Sequence, residues 1–307
     1  MSEQLPIPIL AGPTASGKTR ISLDLALHVK AEIISADSRQ IFRGLQIGTA
    51  SPTTNERETV PHHFVQELDA GESYSAGIFT EQAADRISQI HDRGKNVVVA
   101  GGSTLYVQAL LQPFADIPHI DPSVRLELNL RLEKVGSLAL FNELVDVDPT
   151  YSNTLDPSKS QRIVRGLEVF YGSGQPLSSF FSASPSPSQP FKLFVLFRER
   201  EILYQRINER VDKMMEEGLL EEASNLYKQD AATRALLEKT IGYQELLPYL
   251  GGTQALDVCV DLIKRNSRRY AKRQLTWYKR FEDARWIDLG KHTNEEVTSL
   301  IASRLKD

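Results

Sequence analysis

The stretch IPILAGPTASGKT, from Ile7 to Thr19, decides the fold. Ile7–Ala11 is a short apolar run that reads as a buried strand. It leads into Gly12-Pro13-Thr14-Ala15-Ser16-Gly17-Lys18-Thr19, which fits G-x-x-x-x-G-K-[ST], and a helical pattern follows from about Thr19 to Lys30. The spacing has a physical reason. The glycines let successive backbone N–H groups converge on phosphate oxygens, and the helix N-terminus adds a favourable dipole. Lys18 reaches the terminal phosphates, and Thr19 offers a hydroxyl to Mg²⁺. Every motif position and both flanking elements agree, so a chance glycine-rich turn is set aside. The motif leaves open whose phosphates are bound: a nucleoside triphosphate and another diphosphate suit it equally.

Outward from this loop, short apolar runs alternate with amphipathic stretches. Glu32–Ala36 reads as a second strand and ends in an acid, Asp37. Ser75–Arg93 carries Ile78, Ala83, Ile87 and Ile90 close to helical spacing, with Gly94 as a stop. Asn96–Ala100 is a third strand, ended by Gly101-Gly102. Two-sided apolar strands alternating with helices predict a parallel α/β sheet. After Tyr106 the texture changes: residues 121–147 and 158–172 read as helices, and Asp121-Pro122 and Asp156-Pro157 each place an N-cap acid before a proline. Ser182–Pro190 is a Ser/Pro-rich loop, and Phe191–Phe197 returns as a strand of the same sheet. From Glu199 onward the pattern is mainly helical. The expected architecture is a P-loop NTPase-like parallel sheet flanked by helices, residues 1–115 and 190–307, with a small helical domain inserted at 116–189.

Asp37 follows its strand where a parallel sheet opens its ligand crevice. A P-loop NTPase usually carries a second acid for Mg²⁺ after an apolar strand. Val97-Val98-Val99-Ala100 ends instead in Gly-Gly-Ser, without one. Asp37 is therefore a metal-associated acid, a base aimed at an acceptor, or a residue that only starts a turn.

The single cysteine, Cys259, excludes an intrachain disulfide and a cysteine-built zinc site, and reads as core. Adjacent His62-His63 have no third ligand at metal spacing and read as structural. Met1–Gly12 lacks the charged and apolar regions of a signal peptide, and no apolar run reaches membrane-spanning length. A cytoplasmic monomer without membrane contact is expected.

The chain has 307 residues, and its 36 Lys+Arg against 40 Asp+Glu give a net charge of −4. Taken as a sum, that argues against a nucleic-acid partner. The distribution argues otherwise. Lys264, Arg265, Arg268, Arg269, Lys272, Arg273, Lys279 and Arg280 lie in a stretch that no acid interrupts. At about 100° per residue all of them fall on one half of a helix, with Ile263, Tyr270, Trp277 and Tyr278 opposite and Leu275 as the apolar exception. The remainder of the chain is net −12. A single-sign arc favours a polyanion over a merely solvated face.

These pieces resemble the bacterial tRNA dimethylallyltransferases (tRNA isopentenyltransferases). The matching runs are Gly12–Thr19, Asp37-Ser38-Arg39-Gln40-Ile41-Phe42, Ile47–Ala50, Pro61-His62-His63, Gly101–Tyr106, Gln161–Glu168, Ile241–Glu245 and Arg269–Trp277. The resemblance implies transfer of a dimethylallyl group from its diphosphate to N6 of the adenosine 3′ of the anticodon, with Mg²⁺. It implies that residues 12–19 (Gly12, Pro13, Thr14, Ala15, Ser16, Gly17, Lys18, Thr19) hold the diphosphate, with Thr19 at the metal. Asp37 would be the base, Ser103 its partner and Arg210 a diphosphate-binding cation. Asp37, Ser38, Arg39, Gln40, Gln161, Arg162, Ile163, Val164 and Arg165 would meet the tRNA anticodon stem-loop, and Arg268, Arg269, Lys272 and Arg273 its phosphates. The chain departs from the family at Ser103, where Thr prevails, and at Ser51, where many members carry Lys. The rival reading is a P-loop small-molecule kinase or NTPase.

Overall fold

A computed structural model describes residues 5–115, 117–183, 186, 187 and 189–305. In chain order the elements are β1 (Ile7–Ala11), α1 (Lys18–Val29), β2 (Ala31–Ser35), α2 (Thr54–Thr59), β3 (His62–His63), α3 (Ala76–Asp92), β4 (Asn96–Gly101), α4 (Thr104–Leu111), α5 (Pro122–Val147), α6 (Pro149–Ser152) and α7 (Ser160–Ser173). A 3₁₀ turn at Leu177–Ala183 precedes β5 (Phe191–Phe197), α8 (Arg200–Glu216), α9 (Leu219–Tyr227), α10 (Ala231–Leu237), α11 (Leu247–Leu250), α12 (Leu256–Tyr278), β6 (Arg285–Asp288) and α13 (Asn294–Arg304). The chain divides into two compact units, Met1–Leu111 with Pro187–Asp307, and Gln112–Ser186.

The first unit is built on a six-stranded sheet in the order β3-β2-β4-β1-β5-β6. Its paired strands all run parallel. β1 is central, with Ile9 opposite Val99 on one side and Leu193 on the other. Every residue of β1 and β2 is buried, which is why β1 reads as a continuous apolar run, whereas β2 also buries the polar Glu32 and Ser35. Alternation survives inside the protein. Ile9, Val97, Val99 and Val195 pack on one face with Phe79, Ala83 and Ile87 of α3. Leu10, Val98, Phe194 and Leu196 pack on the other with Ile21 and Leu25 of α1 and Ile301 of α13. A fully buried Leu or Ile contributes roughly 1.5–3 kcal/mol, so the two faces together dominate the stability of this unit.

The second unit joins α5 and α7 around Leu128, Leu140, Leu144, Ile163, Val164 and Leu167. Gly136, at φ 80°, breaks α5 into two helical stretches.

Several elements differ from the sequence reading. In α3 the inward stripe runs through Phe79 rather than Ile78, which is exposed. Asp121 does cap its helix, accepting from the Ser123 N–H at 2.8 Å. Asp156 does not: it accepts from the Ser158 N–H, and α7 begins only at Ser160. The Ser/Pro loop begins inside a 3₁₀ turn at Ser182 and Ala183, and its residues 184, 185 and 188 lie outside the described residues. The edge strand β6 falls in a region read as helical, and α4 occupies a stretch given no element. No helix among the described residues is long and apolar enough to cross a membrane.

Candidate active site

The C-terminal ends of β1, β2 and β4 open on one cavity of about 330 Å³. The sheet brings three loops to this rim. The first is the turn from β1 into α1. Gly12 has φ 147°, and a Cβ there would stand 2.2 Å from the Leu196 carbonyl oxygen, so no side chain is accommodated. Gly17, in the left-handed region, opens α1 without a side-chain cap, so the first N–H groups of the helix remain available to an anion. Lys18 Nζ donates to the Pro13 carbonyl at 2.7 Å. Arg198 and Arg206 fix the same loop from outside, their Nε atoms donating to the carbonyls of Ser16 (2.9 Å) and Ala15 (3.0 Å). The Ser16 hydroxyl is buried without a partner among the described residues.

The second loop follows β2. Asp37 Oδ1 accepts from the N–H groups of Arg39 (2.9 Å) and Gln40 (3.2 Å), which fixes the carboxylate. Among the described residues Oδ2 accepts no hydrogen bond. Arg39 is held by the Lys239 carbonyl at 3.0 Å. Gln40 accepts from Ser35 and donates to the carbonyls of Thr49 and Ala50. The third loop follows β4. A Cβ on Gly101 would lie 2.1 Å from the Ala36 carbonyl oxygen, so this approach also requires glycine. The Ser103 N–H donates to that carbonyl at 3.1 Å.

Helix α8 brings Arg210 to the cavity, where Nη2 reaches the Thr49 carbonyl at 3.5 Å. The segment bearing Thr49 is itself anchored. Glu222 of α9 accepts from three consecutive N–H groups, those of Gln46, Ile47 and Gly48, and from the Tyr243 hydroxyl at 2.6 Å.

Electrostatically the cavity is built for an anion. Burial, reinforced by Arg210, pushes Lys18 down to about 7, while Asp37 acts in the opposite sense. Burial likewise lowers Arg210, with Asp37 opposing. Both cations are held where their charge is costly, so an anion between them is favoured. Asp37 is the only carboxylate among the lining residues. Burial, and then the Asp37 charge, push the hydroxyls of Tyr270 and Tyr106 up to about 12.

The structure thus gathers Thr14, Lys18, Thr19, Asp37, Ser38, Arg39, Gln40 and Arg210 around one cavity. Ser103 does not line it; it is buried at the start of α4, joined to the Asp37 loop through the backbone. Ser51 is buried and its hydroxyl has no partner among the described residues.

On α12 the basic arc divides. Lys264 pairs with Asp212 at 2.5 Å, and Arg268 donates to Asn208 Oδ1, so this edge of the arc is tied to α8. Leu275 lies on the same edge and packs with Leu203, Ile207 and Ala271, which accounts for an apolar residue amid cations. Arg265, Arg269, Lys272 and Arg273 are exposed. In the inserted unit Gln161 and Arg162 are exposed, and Arg165 pairs with Glu168 at 3.0 Å. Ile163 and Val164 are fully buried in the core of that unit. This corrects their expected place at an RNA surface: helical periodicity turns them inward, beside Leu140 and Leu144. His63 bonds Glu32 at 2.7 Å, and the described residues include no cluster of three or more metal-ligating side chains. Arg198, Arg206, Glu222 and Gln274 escaped the sequence reading. Two carried a signal: Arg206, at i, i+4 spacing from Arg210 on one helix face, and Gln274, which lies within the matching run Arg269–Trp277 without a role of its own.

A family model for IPP transferase matches residues 40–281. The tRNA dimethylallyltransferase of Salinibacter ruber is 44% identical over 304 residues, 98% of this chain and 93% of that protein. That of Chlorobium chlorochromatii is 47% identical over 291 residues, 92% and 93% of the two chains. Among solved structures, the tRNA isopentenylpyrophosphate transferase of Bacillus halodurans is 36% identical, with a TM-score of 0.69 over 99% of this chain and 97% of the other. A eukaryotic dimethylallyltransferase acting on tRNA is 30% identical, with a TM-score of 0.81 over 93% and 74%. The kinase or NTPase reading, which rested on the phosphate loop alone, gives way to similarity that spans the whole sheet and α12 as well. The chain belongs to the IPP transferase family, the tRNA dimethylallyltransferases.

Proposed function

We infer that this chain transfers the dimethylallyl group of dimethylallyl diphosphate to N6 of the adenosine 3′ of the anticodon in tRNA. The observation that carries the chemistry is one carboxylate and two half-buried cations, Lys18 and Arg210, lining a single cavity. The diphosphate lies against Lys18, Arg210 and the N–H groups that open α1. These groups neutralise the charge that develops as the bond between the allylic carbon and oxygen breaks. Asp37, fixed through Oδ1, takes the proton from the exocyclic amine at Oδ2 as N6 bonds to that carbon. The diphosphate leaves with the electron pair. Ile207, Val211, Met214 and Ile263 give the cavity an apolar wall that excludes water from the cationic carbon.

The donor set also fits Mg²⁺. The Thr19 hydroxyl, among several that line the cavity, suits a hard cation that would keep several waters and take its other oxygens chiefly from phosphate. Thr19 would be its protein ligand, and the ion would add positive charge at the leaving group.

For the base to arrive, it must leave the stacked loop of the RNA. Ser38, Arg39 and Gln40 stand at the cavity and are assigned to its neighbours. Gln161, Arg162 and Arg165 of the inserted unit, and Arg269, Lys272 and Arg273 of α12, are assigned to the anticodon stem-loop, which positions rather than identifies. The protein acts as a monomer in the cytoplasm.

Incubation with labelled dimethylallyl diphosphate, Mg²⁺ and unmodified tRNA tests the reading. Label on RNA supports it. ATP hydrolysis with no labelled RNA refutes it.

A further inference from the structure

Gln274 sits inside α12 with 2% of its surface exposed, yet it is a polar side chain on the helix that carries the basic arc. Both ends of its amide are used. Oε1 accepts from the Thr14 N–H of the phosphate loop at 3.1 Å, and Nε2 donates to the Gly102 carbonyl at 2.7 Å. The two partners lie on the loops that follow β1 and β4, which are adjacent strands. Between those loops the amide is a strut. The fit is close: a Cβ on Gly102 would stand 2.6 Å from Nε2, so the glycine at this position leaves room for the bridge. At neutral pH a primary amide supplies both an acceptor and a donor at that length, which an ionised carboxylate does not. A hydrocarbon would leave the Thr14 N–H without its partner, and a carboxylate would face the Gly102 carbonyl with like charge.

We propose that Gln274 is a positioning residue for prenyl transfer, setting the phosphate loop against the Gly101–Ser103 loop. It acts through the Thr14 N–H and the Gly102 carbonyl rather than on the reacting atoms. Thr14, Gly101 and Gly102 line the cavity with Lys18 and Asp37, and Ser103 continues the β4 loop toward the Ala36 carbonyl beside Asp37. One amide therefore spans the diphosphate side and the side of the base. Because Gln274 follows Lys272 and Arg273 on α12, the helix assigned to RNA phosphates also bears the strut for the donor loop.

The inference rests on the prenyl-transfer reading, and the wild-type assay checks that reading separately. Gln274→Met keeps the length and removes both hydrogen bonds. Its kcat/KM for dimethylallyl diphosphate is expected to fall about 30-fold, the worth of two neutral hydrogen bonds, while tRNA affinity stays within about twofold. Gln274→Glu keeps the acceptor for Thr14 and loses the donor while ionised. Its activity relative to wild type is expected to recover as pH is lowered and the carboxyl gains a proton to donate to Gly102. A structural defect has no reason to follow that profile. Hydrogen exchange without substrates provides a readout that needs no turnover: residues 14–18 and 101–103 should lose protection in Gln274→Met, with the rest of α12 unchanged. Two results overturn the proposal. One is a Met variant with donor kcat/KM within threefold of wild type. The other is a parallel loss of tRNA affinity and of protection along α12, which would make Gln274 a packing residue of the helix.

Discussion

The phosphate loop and α12 both present positive charge to phosphate, and they do so by opposite means. The loop uses few groups, each fixed by a hydrogen bond to the loop's own carbonyls. Lys18 is bound to the Pro13 carbonyl, and Arg198 and Arg206 hold the loop from outside. Helix α12 uses many cations, and those not tied to α8 stand in solvent on long side chains. The first arrangement suits one small anion at a defined position, because desolvated charge is costly until that anion arrives. The second suits a polyanion, where each contact adds a similar increment and register is set by many weak bonds.

The most severe way to test this contrast is at the acid between the two regions. Asp37→Ala is expected to lower turnover by about 10²–10⁴ while tRNA affinity stays near wild type, because the carboxylate serves the chemistry and not the docking. Single-turnover rates set beside filter-binding affinities measure both, and unchanged turnover would reduce Asp37 to a turn residue.

The next test separates buried from exposed charge by pH. Lys18, pushed down to about 7 in the free protein, gains a proton when a diphosphate binds, because the anion favours its charged form. Measured as the ratio to Lys18→Met, in which the ligand's own titration cancels, affinity for inorganic diphosphate should therefore weaken above about pH 7, by up to tenfold per unit. Calorimetry in buffers of different ionisation enthalpy should register proton uptake above pH 7. Lys18→Met should abolish that uptake, and its persistence would assign the proton elsewhere.

A smaller effect distinguishes the two edges of the basic arc. Arg269→Ala and Lys272→Ala should each flatten the salt dependence of tRNA binding by about one unit. A slope that matched wild type would return the exposed edge to a solvated face. Smallest of all is Lys264→Met, whose cation is paired with Asp212. It should leave the salt slope unchanged and alter stability by less than about 1 kcal/mol, read from a urea midpoint.

Much of the sheet was legible because burial on both faces leaves an unmixed signal. β1, β4 and β5 centre on apolar runs, Ile7–Ala11, Val97–Ala100 and Leu193–Phe197, and the strand expected at Phe191–Phe197 has those bounds in the structure. The edge strands were not legible. β3 has two residues and β6 has four, each paired on one side only, too short for periodicity to separate from loop. At the site, the phosphate loop could be read because its chemistry is local: backbone N–H groups, lysine and hydroxyl lie within eight residues. Ile163 and Val164 misled for the opposite reason. They sit inside a motif run whose neighbours are exposed and polar, and only the packing of α7 on α5 turned them into the core.

By itself, then, the sequence determined the parallel sheet, the phosphate loop with its lysine, the acid that ends the second strand, and the excess of cations near the C-terminus. Each is written in contiguous residues, where spacing along the chain translates directly into geometry. The tertiary structure alone decided which cations remain free and which side chains hold the site in shape. Lys264 and Arg268 are engaged by α8, whereas Arg269 and Lys272 stand in solvent. Gln274 meets Thr14 across 260 residues of sequence, and Glu222 gathers amides more than 170 residues away. Such pairings depend on how the helices pack against the sheet, and no local pattern of residues encodes them.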